Sequence, residues 1–269
     1  MPRHKIKALA LDRQHGASFL LRQALLLLKD EAAELPCTNW RDYLQALEVV
    51  ACRLQDIRPT MASIYNGLQL FRHGLAGLRA IDQPPHPVEA VSILVDGILA
   101  ELDQIYSLTV KNGSDMIKSG LRLVSCSFSA TVGSALLQSA AEGRACSVLI
   151  VEGRDECPAM PYGEMMASTL RPRVKCRVIT AEDLEANLLG VDFALVGADS
   201  IFRDGSVVNG HPSLRLAQAC QVNNIPFYCL CESHKITTQP PVLPLEAGFD
   251  LIPAHLVSKI ITEKSAAAP

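Results

Sequence analysis

The 269-residue sequence contains nine cysteines but no Cys-x-x-Cys pair. The nearest approach is Cys229 and Cys231, which are separated by one residue and would share one face of a strand. Neither a zinc-site spacing nor a disulfide framework is visible in this pattern. We therefore expect free thiols in a reducing compartment, no bound metal and a cytoplasmic location.

Dense runs of lysine or arginine are also missing, and the net charge is only -3. Direct binding of nucleic acid is therefore not expected. The longest apolar passages, such as 25–28 and 91–95, are closed by Lys29 and Asp96. Because these passages are too short to cross a bilayer, we expect no association with a membrane.

A third absence is the Gly-x-Gly-x-x-Gly motif of dinucleotide-binding proteins. The segment 127–133, which follows the first predicted strand, has no paired glycines that would let a pyrophosphate approach the backbone. A nicotinamide-dependent dehydrogenase is therefore disfavoured, and we expect no cofactor. Apolar residues make up 49% of the chain, which is enough for one large domain or two smaller ones.

The first part of the chain has the periodicity of helices. Apolar residues recur at spacings of three and four from Ala17 to about Val110, and prolines separate the blocks. Thr38 and Asn39 are candidate caps for the helix that begins near Trp40. We predict a helical domain over residues 1–112, with helices over 17–31, 39–55, 60–80 and 87–106.

After Gly113 short apolar runs alternate with helical patterns, which predicts a second domain over residues 113–269. The predicted strands are 121–126, 146–151, 174–179, 193–196 and 227–230. The predicted helices are 131–141, 162–170, 182–188 and 213–223, the third opened by a capping box at Thr180 and Asp183. This alternation indicates βαβ units with right-handed crossovers and a mostly parallel sheet, so the fold class is α/β.

Polar side chains follow four of the predicted strands. The first strand is followed by Ser127 and Ser129, the second by Arg154, the fourth by Asp199 and the fifth by Lys235. Carboxyl ends of parallel strands meet at one edge of a sheet, where ligands bind. Hydroxyls, a helix N-terminus, a guanidinium, a carboxylate and an ammonium together suit a small phosphorylated molecule. The alternative is that these are only the polar loops that end strands in any α/β protein.

Several short motifs occur in an order and spacing that resemble one known family. They are Ile-Arg-Pro-Thr at 57–60, Glu-Gly-Arg at 152–154, Gly-Ala-Asp at 197–199, Asp-Gly-Ser-Val-Val-Asn at 204–209, Phe-Asp-Leu-Ile-Pro at 249–253 and Ile-Ile-Thr-Glu at 260–263. The family unites the alpha, beta and delta subunits of translation initiation factor 2B with ribose-1,5-bisphosphate and methylthioribose-1-phosphate isomerases. The resemblance implies a helical N-terminal domain, a Rossmann-like C-terminal domain, a ligand cleft between them, and a homodimer or larger homo-oligomer.

In the family's isomerases, a cysteine after the first strand and the aspartate of the Gly-Ala-Asp motif transfer protons between aldose and ketose. The resemblance assigns the aspartate role to Asp199. The family's cysteine position falls on Ser127, and Cys126 lies one residue earlier. A one-residue offset can reverse a side chain's direction. Cys126 is thus a catalytic candidate only if it faces the ligand and its thiolate is stabilised; otherwise it is a small buried strand residue.

The resemblance also implies substrate-binding positions. They are His15, Gly16, Ala17, Arg58, Ser127, Ser129, Arg154, Asn209 and Lys235. Two cations of the isomerases are missing, since His15 stands in place of Arg and Gly210 in place of Lys. His15 and His211 are partial replacements near neutral pH, or merely solvated loop residues. Arg58 would otherwise tie down a helix end, and Arg154 and Lys235 would form surface pairs.

Two functions follow from these expectations. One is a sugar-phosphate aldose–ketose isomerase, in which Asp199 and conditionally Cys126 move protons without a metal or nicotinamide. The other is a non-catalytic subunit that binds a phosphorylated metabolite and regulates a partner, as in translation initiation factor 2B.

Overall fold

The computed structural model describes residues 3–153 and 161–264. The chain forms two compact units, Met1–Gln104 and Ile105–Pro269. The division falls within one long helix, slightly before the boundary at 112/113 that we expected. An all-helical region is thus followed by an α/β region, as predicted.

Five helices begin in the first unit. They are α1 (Arg3–Leu11), α2 (Ala17–Glu34), α3 (Trp40–Gln55), α4 (Ala62–Arg79) and α5 (Pro87–Met116). Helix α1 was not predicted. Asn39 caps α3 as expected, because its side chain accepts a hydrogen bond of 3.0 Å from the Asp42 N–H.

Helices α2, α3 and α4 pack against each other through their leucine-rich faces. Gly67 on α4 lies directly against the Leu21 side chain of α2, where a β-carbon would overlap the leucine. The glycine therefore allows these two helices to approach closely.

The second unit contains nine strands and four further helices within its described residues. The strands are β1 (Arg122–Cys126), β2 (Ser147–Glu152), β3 (Lys175–Thr180), β4 (Phe193–Val196), β5 (Ser200–Ile201), β6 (Val207–Gly210), β7 (Phe227–Leu230), β8 (Phe249–Ile252) and β9 (Lys259–Ile261). The helices are α6 (Ala130–Ala141), α7 (Tyr162–Leu170), α8 (Leu184–Asn187) and α9 (Ser213–Val222). All five predicted strands are confirmed to within one residue at each end.

Six of these strands form a parallel sheet in the order β3-β2-β1-β4-β7-β9. The order reverses between β1 and β4, which pair through Leu123 with Phe193 and Val124 with Ala194. Apolar residues of α6 and α7 pack on one face of the sheet, and those of α8 and α9 pack on the other. This is a doubly wound, Rossmann-like arrangement.

The remaining strands form a small antiparallel sheet in the order β5-β6-β8, which was not predicted. It follows β4 directly, and its register places Asn209 opposite Asp250. Strand β9 was also missed, and α5 runs to Met116 instead of ending near residue 106. Helix α8 is shorter than predicted; Thr180 bonds to Asp183 as expected, but it ends β3 and does not cap the helix.

Candidate functional site

The candidate site lies where the strand order reverses, at the carboxyl ends of β1 and β4. Ser127 follows β1, and Asp199 follows β4 after the turn at 197–198. In a doubly wound sheet the connections leave this point on opposite faces, so a crevice opens between them. Asp199 therefore lies at the carboxyl edge of the parallel sheet, where the sequence placed it.

Ser127, the residue after β1, has a backbone conformation that is rare for residues other than glycine. Its φ of 57° is left-handed, and the residue is buried. A β-carbon on Gly210 would lie only 2.5 Å from the Ser127 Oγ. Glycine at position 210 thus makes room for this hydroxyl, and a larger residue would have to displace it.

Ser129 caps α6, because its Oγ accepts a hydrogen bond of 3.3 Å from the Val132 N–H. The glycine of the Gly-Ala-Asp motif accommodates this serine: a β-carbon on Gly197 would lie 2.6 Å from the Ser129 Oγ. The same position lies 3.7 Å from the Asn209 Oδ1. Ser129, Gly197 and Asn209 therefore lie side by side at the positive end of α6.

Lys235 enters the site from the loop after β7 as a buried cation. Its side chain is only 8% exposed, and its Nζ lies 2.9 Å from the Glu232 Oε2. Thr131 donates a hydrogen bond of 2.8 Å to the other oxygen of Glu232. Burial acts to raise the pKa of Glu232, but the Lys235 charge outweighs it and lowers the pKa to about 2.

The carboxylate of Asp199 interacts electrostatically with the ammonium of Lys235. Burial would lower the pKa of Lys235, but the charge of Glu232, with a contribution from Asp199, raises it above its usual value. Asp199 itself is half-buried, and its N–H donates to the Val208 carbonyl at 2.8 Å. The second unit thus brings together five of the predicted residues, which we call the edge cluster: Ser127, Ser129, Asp199, Asn209 and Lys235.

Cys126 does not meet the condition attached to it. It is 1% exposed and packs in the core on one face of the sheet with Cys220 and Cys229. Burial, followed by the charge of Asp250, raises the pKa of its thiol well above the usual value. A thiolate is therefore disfavoured, and the structure gives Cys126 no role as a proton carrier.

The predicted residues of the helical unit form a group of their own. Arg58 is 2% exposed, and its Nη1 donates to the Asp12 carbonyl at 2.5 Å. The Asp12 Oδ2 lies 2.8 Å from the His15 Nδ1. Gly16 and Ala17 continue from His15 into α2, with Gly16 as the N-cap residue. Arg58 thus bonds to the backbone of the turn after α1.

One predicted residue, Arg154, lies outside the described residues. Two functional partners were missed, namely Thr131 and Glu232, which hold Lys235 in place. The spacing of three residues between Glu232 and Lys235 was an available signal for their pairing.

In residues 3–153 and 161–264 no group of three or more His, Cys, Asp or Glu could hold a metal ion. No described helix is long and apolar enough to cross a membrane.

A helical region joined to a doubly wound sheet defines a class of Rossmann-like α/β proteins. Comparison with protein families narrows this class. The model of the "Initiation factor 2 subunit family" matches residues 13–243. The chain belongs to this family.

Curated relatives include both translation factors and enzymes. A putative translation initiation factor eIF-2B subunit 2-like protein of Pyrococcus furiosus is 25% identical, over 94% of this chain and 91% of the relative. Methylthioribose-1-phosphate isomerase of Cronobacter sakazakii is 29% identical, over 89% of this chain and 68% of that enzyme. Ribose 1,5-bisphosphate isomerase of Methanocaldococcus jannaschii is 22% identical, over 92% and 85%. Family membership therefore does not decide between catalysis and binding.

Solved structures agree with the fold. The translation initiation factor eIF-2B of Pyrococcus horikoshii superposes with a TM-score of 0.79 at 24% identity, covering 97% of this chain and 94% of the other. The eIF2B delta of Chaetomium thermophilum gives 0.81 at 18% identity, covering 99% and 98%. At these identities the likeness establishes the fold.

Proposed function

We propose that this protein binds a phosphorylated sugar at the edge cluster. The observation that carries the proposal is the convergence of the α6 N-terminus, two serine hydroxyls and the buried Lys235 at the switch point of the sheet. Helix N-termini and ammonium groups attract phosphate, while Asp199 and Asn209 are suitable partners for sugar hydroxyls. The names of two relatives, which are isomerases of phosphorylated sugars, support the same ligand class.

Lys235 is suited to this role because its position is fixed before the ligand arrives. Glu232 balances part of its charge and orients the ammonium, while Thr131 orients Glu232. An ordered cation costs less conformational entropy on binding than a mobile surface lysine.

Binding without turnover is the form of this function that the site supports best. The family's isomerases use a thiol as well as an aspartate, whereas Cys126 is buried and neutral and Ser127 stands at the thiol position. A regulatory subunit that binds a metabolite without converting it agrees with these features.

Aldose–ketose isomerisation is the second candidate, and the retained Asp199 is the observation that favours it. A carboxylate at this position is a suitable general base for a proton next to a carbonyl. Isomerisation by this chain would require a second proton carrier other than Cys126.

The test is to titrate the protein with ribose 1,5-bisphosphate, methylthioribose 1-phosphate and ribose 5-phosphate. Calorimetry measures binding, and NMR of the sugar measures its conversion. We expect saturable binding that is weakened in Lys235→Met and unchanged in Lys175→Met, which alters an exposed lysine on β3. Conversion of the sugar that disappears in Asp199→Asn, but persists in Asp82→Asn at an exposed site, would establish the isomerase instead. Equal affinity of the Lys235→Met variant and the wild type would refute the assigned site.

A further inference from the structure

A single turn of 3₁₀ helix, Ser233–Lys235, carries the buried lysine of the edge cluster, and we call it the lysine turn. The Lys235 N–H donates to the Glu232 carbonyl at 3.0 Å, and the Ile236 N–H donates to the Ser233 carbonyl at 3.0 Å. A 3₁₀ segment of this length has little stability of its own. The position of Lys235 therefore depends on contacts from elsewhere in the chain.

Glu232 precedes the lysine turn as its N-cap residue, but its carboxylate is directed elsewhere. One oxygen lies 2.9 Å from the Lys235 Nζ, and the other accepts from Thr131. Within the described residues, the Glu232 side chain makes no capping bond to the turn. The N–H of Ser233, the first residue of the lysine turn, thus needs another acceptor.

Glu263 supplies this acceptor from the chain that follows β9. Its Oε2 accepts a hydrogen bond of 2.9 Å from the Ser233 N–H, and its Oε1 accepts one from the Ser233 hydroxyl. Both carboxylate oxygens are therefore bonded to the same residue of the lysine turn. A carboxylate makes stronger hydrogen bonds to such donors than a neutral acceptor does.

The parallel pairing of β7 with β9 brings Glu263 to the lysine turn. Beyond the end of β7 the Cys231 N–H donates to the Ile261 carbonyl at 3.0 Å, so the two chains leave the sheet side by side. The Asn112 Nδ2 on α5 donates to the Thr262 carbonyl at 2.8 Å and to the Glu263 carbonyl at 3.3 Å. Glu263 is thus held through its backbone while its side chain holds the turn.

The contribution of Glu263 to Lys235 is geometric. Burial lowers the pKa of Lys235, and the charge of Glu232 has the largest effect in raising it. Glu263 bonds instead to the backbone and hydroxyl of Ser233, two residues before the lysine. Loss of these bonds would release the start of the turn and let the ammonium move away from Glu232.

We propose that Glu263 is a positioning residue, which holds the lysine turn so that the Lys235 ammonium faces the phosphate of the ligand. This inference rests on the proposed binding of a phosphorylated sugar and extends the site to the chain after β9. Glu263 acts through Ser233 and not by touching the ligand. The last residue of the Ile-Ile-Thr-Glu motif at 260–263 thereby gains a role.

The first measurement needs no sugar. In the full-length protein with ¹⁵N-labelled lysine, the side-chain resonance of Lys235 is the one that disappears in Lys235→Met. We expect Glu263→Ala to move this resonance towards the position of exposed lysines. Glu263→Gln should leave it near its wild-type position, because an amide oxygen can accept from the Ser233 N–H while the amide N–H donates to the Ser233 hydroxyl.

Asp192→Ala is the matched control. The Asp192 carboxylate also accepts from a backbone N–H, that of Arg122 at 2.7 Å, but it does so at the start of β1, at the opposite end of the sheet. The control should lower stability in urea denaturation without moving the Lys235 resonance. A resonance that moves equally in Glu263→Ala and Asp192→Ala would show a general loosening and overturn the role of Glu263.

The second measurement is calorimetric titration with ribose 1,5-bisphosphate. We expect Glu263→Ala to bind about tenfold more weakly than the wild type, whereas Glu263→Gln and Asp192→Ala should bind as the wild type does. Ser233→Ala keeps the backbone hydrogen bond and loses the hydroxyl one, so it should weaken binding about threefold. This variant tests the same contact if Glu263→Ala does not fold.

The two measurements separate this inference from the proposed function. An unchanged Lys235 resonance and an unchanged affinity in Glu263→Ala and Ser233→Ala overturn the role of Glu263 and leave the function standing. A resonance that moves in Glu263→Ala, but not in Glu263→Gln or Asp192→Ala, supports the role. If the wild type then binds no sugar phosphate, the function is refuted while the positioning of Lys235 stands.

Discussion

The buried pair of Glu232 and Lys235 is the residue-scale feature on which the site depends. Both side chains are almost fully enclosed, at 1% and 8% exposure. Glu232→Gln would leave the Lys235 ammonium buried without its counter-charge. We expect the free energy of unfolding to fall by about 3–5 kcal/mol in urea denaturation. Glu185→Gln, which alters a surface pair at 57% exposure, should change it by less than about 1 kcal/mol.

The same pair predicts a dependence of stability on pH. The pKa of Glu232 is about 2 in the folded chain against an ordinary value of 4.5. The stabilisation is therefore fully present above pH 4.5 and is lost as the pH falls from 4.5 towards 2. The difference in unfolding free energy between wild type and Glu232→Gln should narrow over this range. A difference that stays constant over this range would show that Lys235 does not lower the pKa of Glu232.

Gly197 gives a second test at this scale. An alanine there would place its β-carbon 2.6 Å from the Ser129 Oγ and 2.9 Å from the Ser129 Cβ. Gly197→Ala should lower the free energy of unfolding by about 1–3 kcal/mol through overpacking and shift the Ser129 cap. Gly77→Ala lies on an exposed turn of α4 with nothing within 4 Å of the new β-carbon, and should raise stability by about 0.5–1 kcal/mol. Changes of the same sign in both would contradict this packing.

Single residues also show where prediction from sequence stops. Asp199 and Ser129 could be placed because both follow apolar strands, and the ends of parallel strands meet at one edge. The direction of the Cys126 side chain could not be predicted. Side chains alternate between the two faces along β1, so an offset of one residue reverses the direction. The need for glycine at position 210 was equally hidden, since it comes from the left-handed Ser127 of another strand end.

At the scale of elements, α6 links stability to ligand binding through its cap. Ser129→Ala removes the acceptor for the Val132 N–H and should cost about 1 kcal/mol of stability. It should also weaken sugar-phosphate binding, because the capped end of α6 belongs to the edge cluster. Asn39→Ala removes the cap of α3 in the helical unit and should cost a similar amount while leaving the affinity unchanged. Calorimetry and urea denaturation of the two variants measure both quantities, and equal losses of affinity would argue against a role for α6.

The elements differed in how well local patterns predicted them. Buried parallel strands are continuous apolar runs between turns, so β1, β2, β3, β4 and β7 were located closely. Strands β5 and β9 have only two or three residues, and the small sheet depends on pairing between distant segments. Helix α5 continues through Gly113 because this glycine packs against Leu230 and Ala135, where a β-carbon would not fit. A glycine that serves packing looks the same in sequence as one that ends a helix.

At the scale of the whole molecule, the family unites translation factors and isomerases on one architecture. The parallel sheet has a switch point, where a ligand site can form in any protein of this architecture. At the site of this chain, Asp199 is present, while the thiol of Cys126 is buried and its pKa is raised well above the usual value. This combination favours a binding protein with an isomerase-like cluster over an enzyme.

The most direct test is calorimetric titration of the wild-type protein and Lys235→Met with ribose 1,5-bisphosphate, with the sugar followed by NMR in the same samples. We predict saturable binding by the wild type, an affinity about tenfold or more lower in the variant, and no conversion of the sugar. The Lys175→Met control should titrate as the wild type does. Binding that is insensitive to the loss of Lys235, or no binding of any sugar phosphate by the wild type, would contradict the account.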